Sequence, residues 1–243
     1  MRGLIIHEFG PIDSHQVEDF DDPLASAGEV VVDVHAIGLN FPDTLMVQGK
    51  YQMWPDRPFV PGRDAAGIVS AVGEGVTNLK IGDRVACQVL WGAFGDKVCA
   101  PEAKVFKLPD ELDFVNAAGM ITTYNTAHVA VYERGNVQPG ETVFITGASG
   151  GVGLAMVQMA KARGATVLAG ATSKEKGDIA IAHGADYWID LGVDDLHQGV
   201  KSQVVTAIGE NLCEVVFDVV GGEIFNAAMR CVAYRGRMVI VGF

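Results

Sequence analysis

The sequence predicts an α/β protein, a small β domain followed by a doubly wound parallel sheet. Three observations carry this. The apolar triplet Val143–Phe144–Ile145 precedes Gly147, Gly150, Gly151 and Gly153, and Val152, Met156, Met159 and Ala160 then repeat at helical spacing. Upstream, short strand-like runs alternate with glycine turns. Downstream, apolar runs alternate with helical stretches in βαβ fashion.

In chain order, the strand candidates of the first part are Leu4–Ile6, Val30–Val34, Gly67–Val72, Arg84–Val89 and Asp96–Val98, with Gly28, Gly38, Gly73, Gly75, Gly82 and Gly95 between them. From Phe114 to Tyr132 the pattern turns helical. The triplet at 143–145 is short, branched and aromatic, which reads as a strand buried on both faces. Thr166–Ala169, Tyr187–Ile189, Val215–Val220 and Met238–Val241 are the second to fifth strands, and a helix is predicted from Lys174 to Ala182. The division predicted is 1–118 and 119–243.

Composition narrows the function classes. A chain of 243 residues with 49% hydrophobic content supports one or two domains with a sizeable core. A net charge of −12 argues against nucleic acid and anionic membranes, both of which require a basic face. No apolar run reaches the roughly 18 residues of a membrane span. The opening Met1–Ile6 is too short an apolar run before His7 and Glu8 for a signal peptide, so a cytoplasmic location is expected. Cys87, Cys99, Cys213 and Cys231 show no CxxC spacing and read as reduced thiols.

Strand, glycine turn and helix are the context of a dinucleotide-binding loop. Glycines let the backbone approach a pyrophosphate, and the helix N-terminus offers free N–H groups and partial positive charge. The candidate residues are Ser149, Gly150, Gly151 and Val152. The spacing is A-x-x-G-x-G from Ala148, not the usual G-x-G-x-x-G, and a plain strand-to-helix turn is the competing reading. The tip of the second strand reads Ala169-Gly170-Ala171-Thr172-Ser173-Lys174-Glu175-Lys176. An NAD site usually has an acid there. A neutral tip followed by hydroxyls and lysines favours a 2′-phosphate, hence NADPH. Gly242 and Phe243 end the fifth strand, where ligands bind in such sheets.

Gly140-Glu141, Phe144, Ala148-Ser149-Gly150-Gly151, Gly153, Gln158 and Lys161 together resemble the signature of the zinc-independent quinone oxidoreductase (zeta-crystallin) family of medium-chain dehydrogenase/reductases. The run from Gly62 to Val85 is similar to the core of that superfamily's GroES-like catalytic domain. The resemblance implies an N-terminal GroES-like β-barrel domain and a C-terminal Rossmann domain. Relatives continue past this point, so the last strand of the Rossmann sheet is expected to be missing and the chain to be a fragment.

The resemblance also implies site residues. Asn40 and Asp43, in Asn40-Phe41-Pro42-Asp43, match an N-x-x-D that lines the nicotinamide pocket; an Asx-turn ahead of Pro42 is the alternative. Tyr51 matches a pocket tyrosine whose phenol could hydrogen-bond a carbonyl gaining charge. Thr126 matches a threonine that touches the nicotinamide, and Ser173-x-x-Lys176 a 2′-phosphate site with Thr172 beside it. Zinc-dependent relatives carry a histidine where this chain has Arg63, and no set of three or four metal ligands can be assembled, so no metal is expected. Leu45 stands where some relatives have a second tyrosine, and Leu191 where others have a tyrosine after the third strand.

The resulting expectation is NADPH-dependent hydride transfer, without zinc, to a quinone or an activated alkene or carbonyl, by a homodimer when full length. The alternatives are an enoyl-thioester reductase and a non-catalytic NADPH-binding sensor or structural protein.

Overall fold

The computed structural model describes residues 1–242. The chain forms two compact units, Met1–Thr122 and the stretch from Thr123 onward.

The first unit is built on an antiparallel sheet. Its strands are β1 (Arg2–Ile5), β2 (Gln16–Asp19), β3 (Glu29–Gly38), β4 (Asp64–Val72), β5 (Arg84–Gln88), β6 (Lys97–Pro101) and β7 (Val105–Lys107). Five of them pair in the order β6-β3-β4-β5-β7, and β1 and β2 form a separate ribbon. Val30, Val32, Val69, Val85, Cys87 and Val98 pack together inside the curl. Register shifts between Val31 and Val32 and between Val34 and Ala36 bend β3, which lets one long strand follow the curl. A short helix, α1 (Phe41–Val47), follows β3. Its inner face joins Ile6, Met46, Val47 and Phe59 in a second, smaller cluster.

Helix α2 (Phe114–His128) closes the first unit and opens the second, and continues as one wider, π-type turn over Val129–Arg134. The second unit contains β8 (Thr142–Ile145), α3 (Gly151–Ala162), β9 (Thr166–Ala171), α4 (Lys174–Ala182), β10 (Tyr187–Asp190), α5 (Leu196–Ile208), β11 (Cys213–Asp218), α6 (Gly222–Met229) and β12 (Val232–Ile240). All pairings are parallel, in the order β10-β9-β8-β11-β12. The chain therefore winds outward from β8 in both directions, as a Rossmann sheet does. Side chains alternate across β8. Val143 and Ile145 pack with Met156 and Val157 of α3 on one face. Phe144 packs with Val200 and Val204 of α5 on the other. Helices cover both faces, which is what the buried apolar run Val143–Ile145 requires.

The α/β class, the curled antiparallel sheet and the doubly wound parallel sheet match expectation. Several details differ. Residues 41–47 form a helix that the sequence reading did not predict, and β2 and β7 had no signal. The fourth strand ends at Asp218, not Val220. The fifth begins at Val232 and ends at Ile240. Residues between Val232 and Arg237 bulge out of register, and Arg235 takes a positive φ, which hid the start of β12 from a strand pattern.

Candidate functional site

The glycine turn lies at the carboxyl end of β8. Gly147 takes φ +61°, a left-handed conformation that glycine adopts without steric cost. Gly150 is the N-cap of α3, and no side chain caps the helix. The first-turn amides of α3 thus have no intrahelical acceptor and are open to an anion. A Cβ built on Gly153 would lie 2.3 Å from the Gly147 carbonyl oxygen and 2.8 Å from Ala148 Cα. Both are backbone atoms, so only glycine lets the helix seat this closely on the turn. Ser149, Gly150, Gly151 and Val152, the predicted pyrophosphate residues, occupy this turn and the first positions of α3.

A buried pin ties the strand ends beside the turn. The Thr146 hydroxyl donates to Asp218 at 2.5 Å, and Asp218 accepts the Gly221 amide at 2.9 Å. Both side chains are almost wholly buried. Sequence reading singled out neither; an acid ending one strand and a hydroxyl ending another are 72 residues apart.

At the tip of β9, Thr172, Ser173 and Lys176 come together. Ser173 caps α4 by accepting the Lys176 amide at 3.4 Å, and Lys176 Nζ lies 3.5 Å from Thr172 Oγ1. Lys174 is engaged with Asp178 at 2.6 Å, whereas Lys176 forms no ion pair among the described residues. All three predicted residues are exposed. Thr126 and Gly242 are also brought together. They line an open groove of about 470 Å³ with Val129, Arg134, Val239 and Val241. Phe243, the remaining predicted residue at this end, lies outside the described residues.

In the first unit, Asn40 is the N-cap of α1 and Asp43 its third residue. The Asn40 amide donates to Asp43 Oδ2 at 2.8 Å. The Asn40 side-chain amide is not spent on the cap; it donates to Asp64 Oδ2 at 3.0 Å. Asp64, almost wholly buried, also accepts the Thr122 hydroxyl at 2.9 Å and its amide at 3.2 Å. Gln88 donates to the Thr122 hydroxyl at 2.9 Å. Asn40, Asp64, Thr122 and Gln88 therefore form one buried chain of hydrogen bonds. Asp43 beside it is also buried, and its Oδ1 has no hydrogen-bond partner. Burial, reinforced by the Asp64 charge and opposed by the Asn40 amide, pushes its carboxyl up to about 6.

Tyr51 sits at the edge of the Ile6–Phe59 cluster, and its hydroxyl accepts a hydrogen bond from Arg63 Nη1 at 3.3 Å. Arg63 is thereby placed beside one predicted site residue, Tyr51, although the sequence marked it only as a missing metal ligand. No group of three or more His, Cys, Asp and Glu side chains among the described residues is arranged to hold a metal ion.

Two family models match the chain: the alcohol dehydrogenase GroES-like domain over residues 26–110, and the model described as zinc-binding dehydrogenase over 151–243. A quinone oxidoreductase-like protein 2 homolog of the sea anemone Nematostella vectensis is 37% identical across the whole chain, which spans 65% of that protein. The chain thus spans less than two thirds of that relative's length. Pig quinone oxidoreductase is 33% identical, again across the whole chain, which spans 73% of it. Among solved structures, Escherichia coli quinone oxidoreductase complexed with NADPH superimposes with a TM-score of 0.87 at 30% identity, covering 98% of this chain and 72% of that one. With its curled antiparallel sheet, its outward-winding parallel sheet and these matches, the chain belongs to the zinc-independent quinone oxidoreductase family of the medium-chain dehydrogenase/reductases.

Proposed function

We propose that the chain binds NADPH along the carboxyl edge of its parallel sheet and serves reduction of a quinone or an activated alkene or carbonyl, without zinc. The observation that carries the reading is the Gly147–Gly153 cradle: uncapped first-turn amides seated on a turn too tight for any side chain at Gly153. An anion bound there gains both hydrogen bonds and the helix dipole. The NADPH held by the Escherichia coli relative supports the same choice.

In this reading Ser149, Gly150, Gly151 and Val152 hold the pyrophosphate. Thr172, Ser173 and Lys176 hold the 2′-phosphate, since Lys176 is the cation at the strand tip without a competing carboxylate. Thr126 and Gly242 hold the nicotinamide end. Bound NADPH supplies the hydride. Asn40 and Tyr51 orient the acceptor, and the network from Asn40 to Gln88 keeps Asn40 in one rotamer.

Fluorescence titration with NADPH and NADH tests this directly. The expected result is tighter binding of NADPH. Lys176→Ala should weaken NADPH about tenfold, the loss of one charge-assisted contact, and leave NADH unchanged. Equal binding of both nucleotides to the unaltered chain would remove the 2′-phosphate assignment. No binding of either by a folded sample would overturn the reading.

A further inference from the structure

We infer that Arg63 is the acceptor-binding cation of this chain: its guanidinium, steadied by Tyr51, holds the acceptor oxygen that becomes negatively charged as hydride arrives. The inference rests on the reductase reading above and adds to it the electrostatic partner that reading lacks.

The backbone fixes where Arg63 stands. Gly62 takes φ +90°, and a Cβ there would fall 2.1 Å from the Phe94 ring, so only glycine can make the turn into β4. The carbonyls of both residues are tied down: Gly62 oxygen accepts the Ala93 amide at 3.1 Å, and Arg63 oxygen accepts the Val89 amide at 2.8 Å. The side chain leaves a rigid base.

Its own partners are too few for a guanidinium. Arg63 is partly buried, and its one hydrogen bond among the described residues is the 3.3 Å contact from Nη1 to the Tyr51 hydroxyl. Nε is buried with no partner. Asp43 feels the guanidinium's charge, yet no ion pair forms, and Asp43 Oδ1 is itself unpartnered. A permanent cation drawn from water without a carboxylate is costly. Sites that tolerate this are often those where an anionic oxygen completes the shell during function. The Tyr51 hydroxyl accepts from Arg63, so its own proton stays available to donate. Nη and phenol donors therefore stand side by side.

This matches the charge that the reaction creates. A hydride from the reduced nicotinamide forms a C–H bond at a ring carbon or at the β-carbon of an enone. The displaced π pair moves to the carbonyl oxygen, giving an enolate and the oxidised nicotinamide; in a quinone, one proton of the new sp3 carbon then moves to the neighbouring carbonyl oxygen, leaving a phenolate. The oxygen, or the enolate carbon, then takes one proton from water, which completes a two-electron reduction. Arg63 and Tyr51 act on the anionic stage, so they are assigned to oxygens that bear negative charge. Neutral ethers of the same shape gain nothing from them.

A stable anion of that kind is 4-nitrophenolate, and its visible absorption reports binding without turnover. The full chain is titrated with it at pH 8.5, alongside 4-nitroanisole as the neutral counterpart. The unaltered chain is expected to bind the phenolate more tightly than the anisole. Arg63→Gln should weaken the phenolate about tenfold or more and leave the anisole unchanged. Arg63→Lys should retain part of the preference, and Tyr51→Phe should lose a few-fold. Circular dichroism confirms that each variant is folded. Phenolate binding unaffected by Arg63→Gln, or none by the unaltered chain at millimolar ligand, would overturn the inference. The NADPH titration separates the two claims: intact NADPH binding with Arg63-independent phenolate binding sinks this one alone. Arg63-dependent phenolate binding without NADPH binding sinks only the reductase reading.

Discussion

The turn at Gly147–Gly153 and the cluster around Asn40 hold their polar groups in place by opposite means. The turn presents backbone. Its geometry depends on missing side chains, and the groups it offers are backbone amides, which only a proline substitution removes. The cluster presents side chains. Its members come from residues 40, 64, 88 and 122, and each holds the next through hydrogen bonds. The first kind of site fails when something is added, and the second when something is taken away.

Adding to the turn should have the largest effect. Gly153→Ala places a methyl against two backbone atoms that have nowhere to go, and should destabilise the second unit by about 3 kcal/mol. Gly150→Ala, only three residues away, meets nothing nearer than 3.4 Å and should barely move stability. Urea unfolding of both variants checks the pair. Similar costs for the two would show that the turn yields, and would erase the contrast.

Taking from the cluster should cost somewhat less. Thr122→Val keeps the shape but removes the hydroxyl that Asp64 and Gln88 share. Stranding buried polar atoms in this way should cost about 2 kcal/mol. A loss below a few tenths of that, again by urea unfolding, would mean that water replaces the hydroxyl.

The smallest effect concerns pH. The Asp43 carboxyl is raised to about 6, so the folded chain binds its proton more tightly than the unfolded chain. Stability from this group is complete below the ordinary carboxylate range and is lost as pH rises through about 6. Between pH 5 and pH 8 the unaltered chain should lose about 1 kcal/mol on this account. Asp43→Asn should lack that slope. Parallel pH–stability curves for the two proteins would remove Asp43 as the cause.

The same contrast decides what the sequence could reveal. The turn was legible because strand, glycines and helix are consecutive, and local spacing records them. Thr172, Ser173 and Lys176 were legible for the same reason: they share one helix start. Asn40 and Asp43 could be picked out, but their cluster could not, because Asp64 and Thr122 are 24 and 82 residues away from Asn40. Arg63 was visible only as a departure. Its pairing with Tyr51 depends on how the turn at Gly62 aims the chain, which no pattern in the sequence encodes. Helix α1 escaped because seven residues containing a proline give too little periodicity. Strand β12 was shortened because its first half is bulged.

The position of β8 has a consequence for how readily the turn can act. This strand is the innermost of its sheet, flanked by β9 and β11, and Val143, Phe144 and Ile145 are fully buried. Amides in such a strand exchange with solvent only when the whole unit opens. Gly147 follows Ile145 by two residues, so the turn hangs from the fully buried central strand of the sheet. A loop anchored there has little freedom left to lose when a ligand arrives, and preorganisation of that sort reaches affinity through what binding does not have to order.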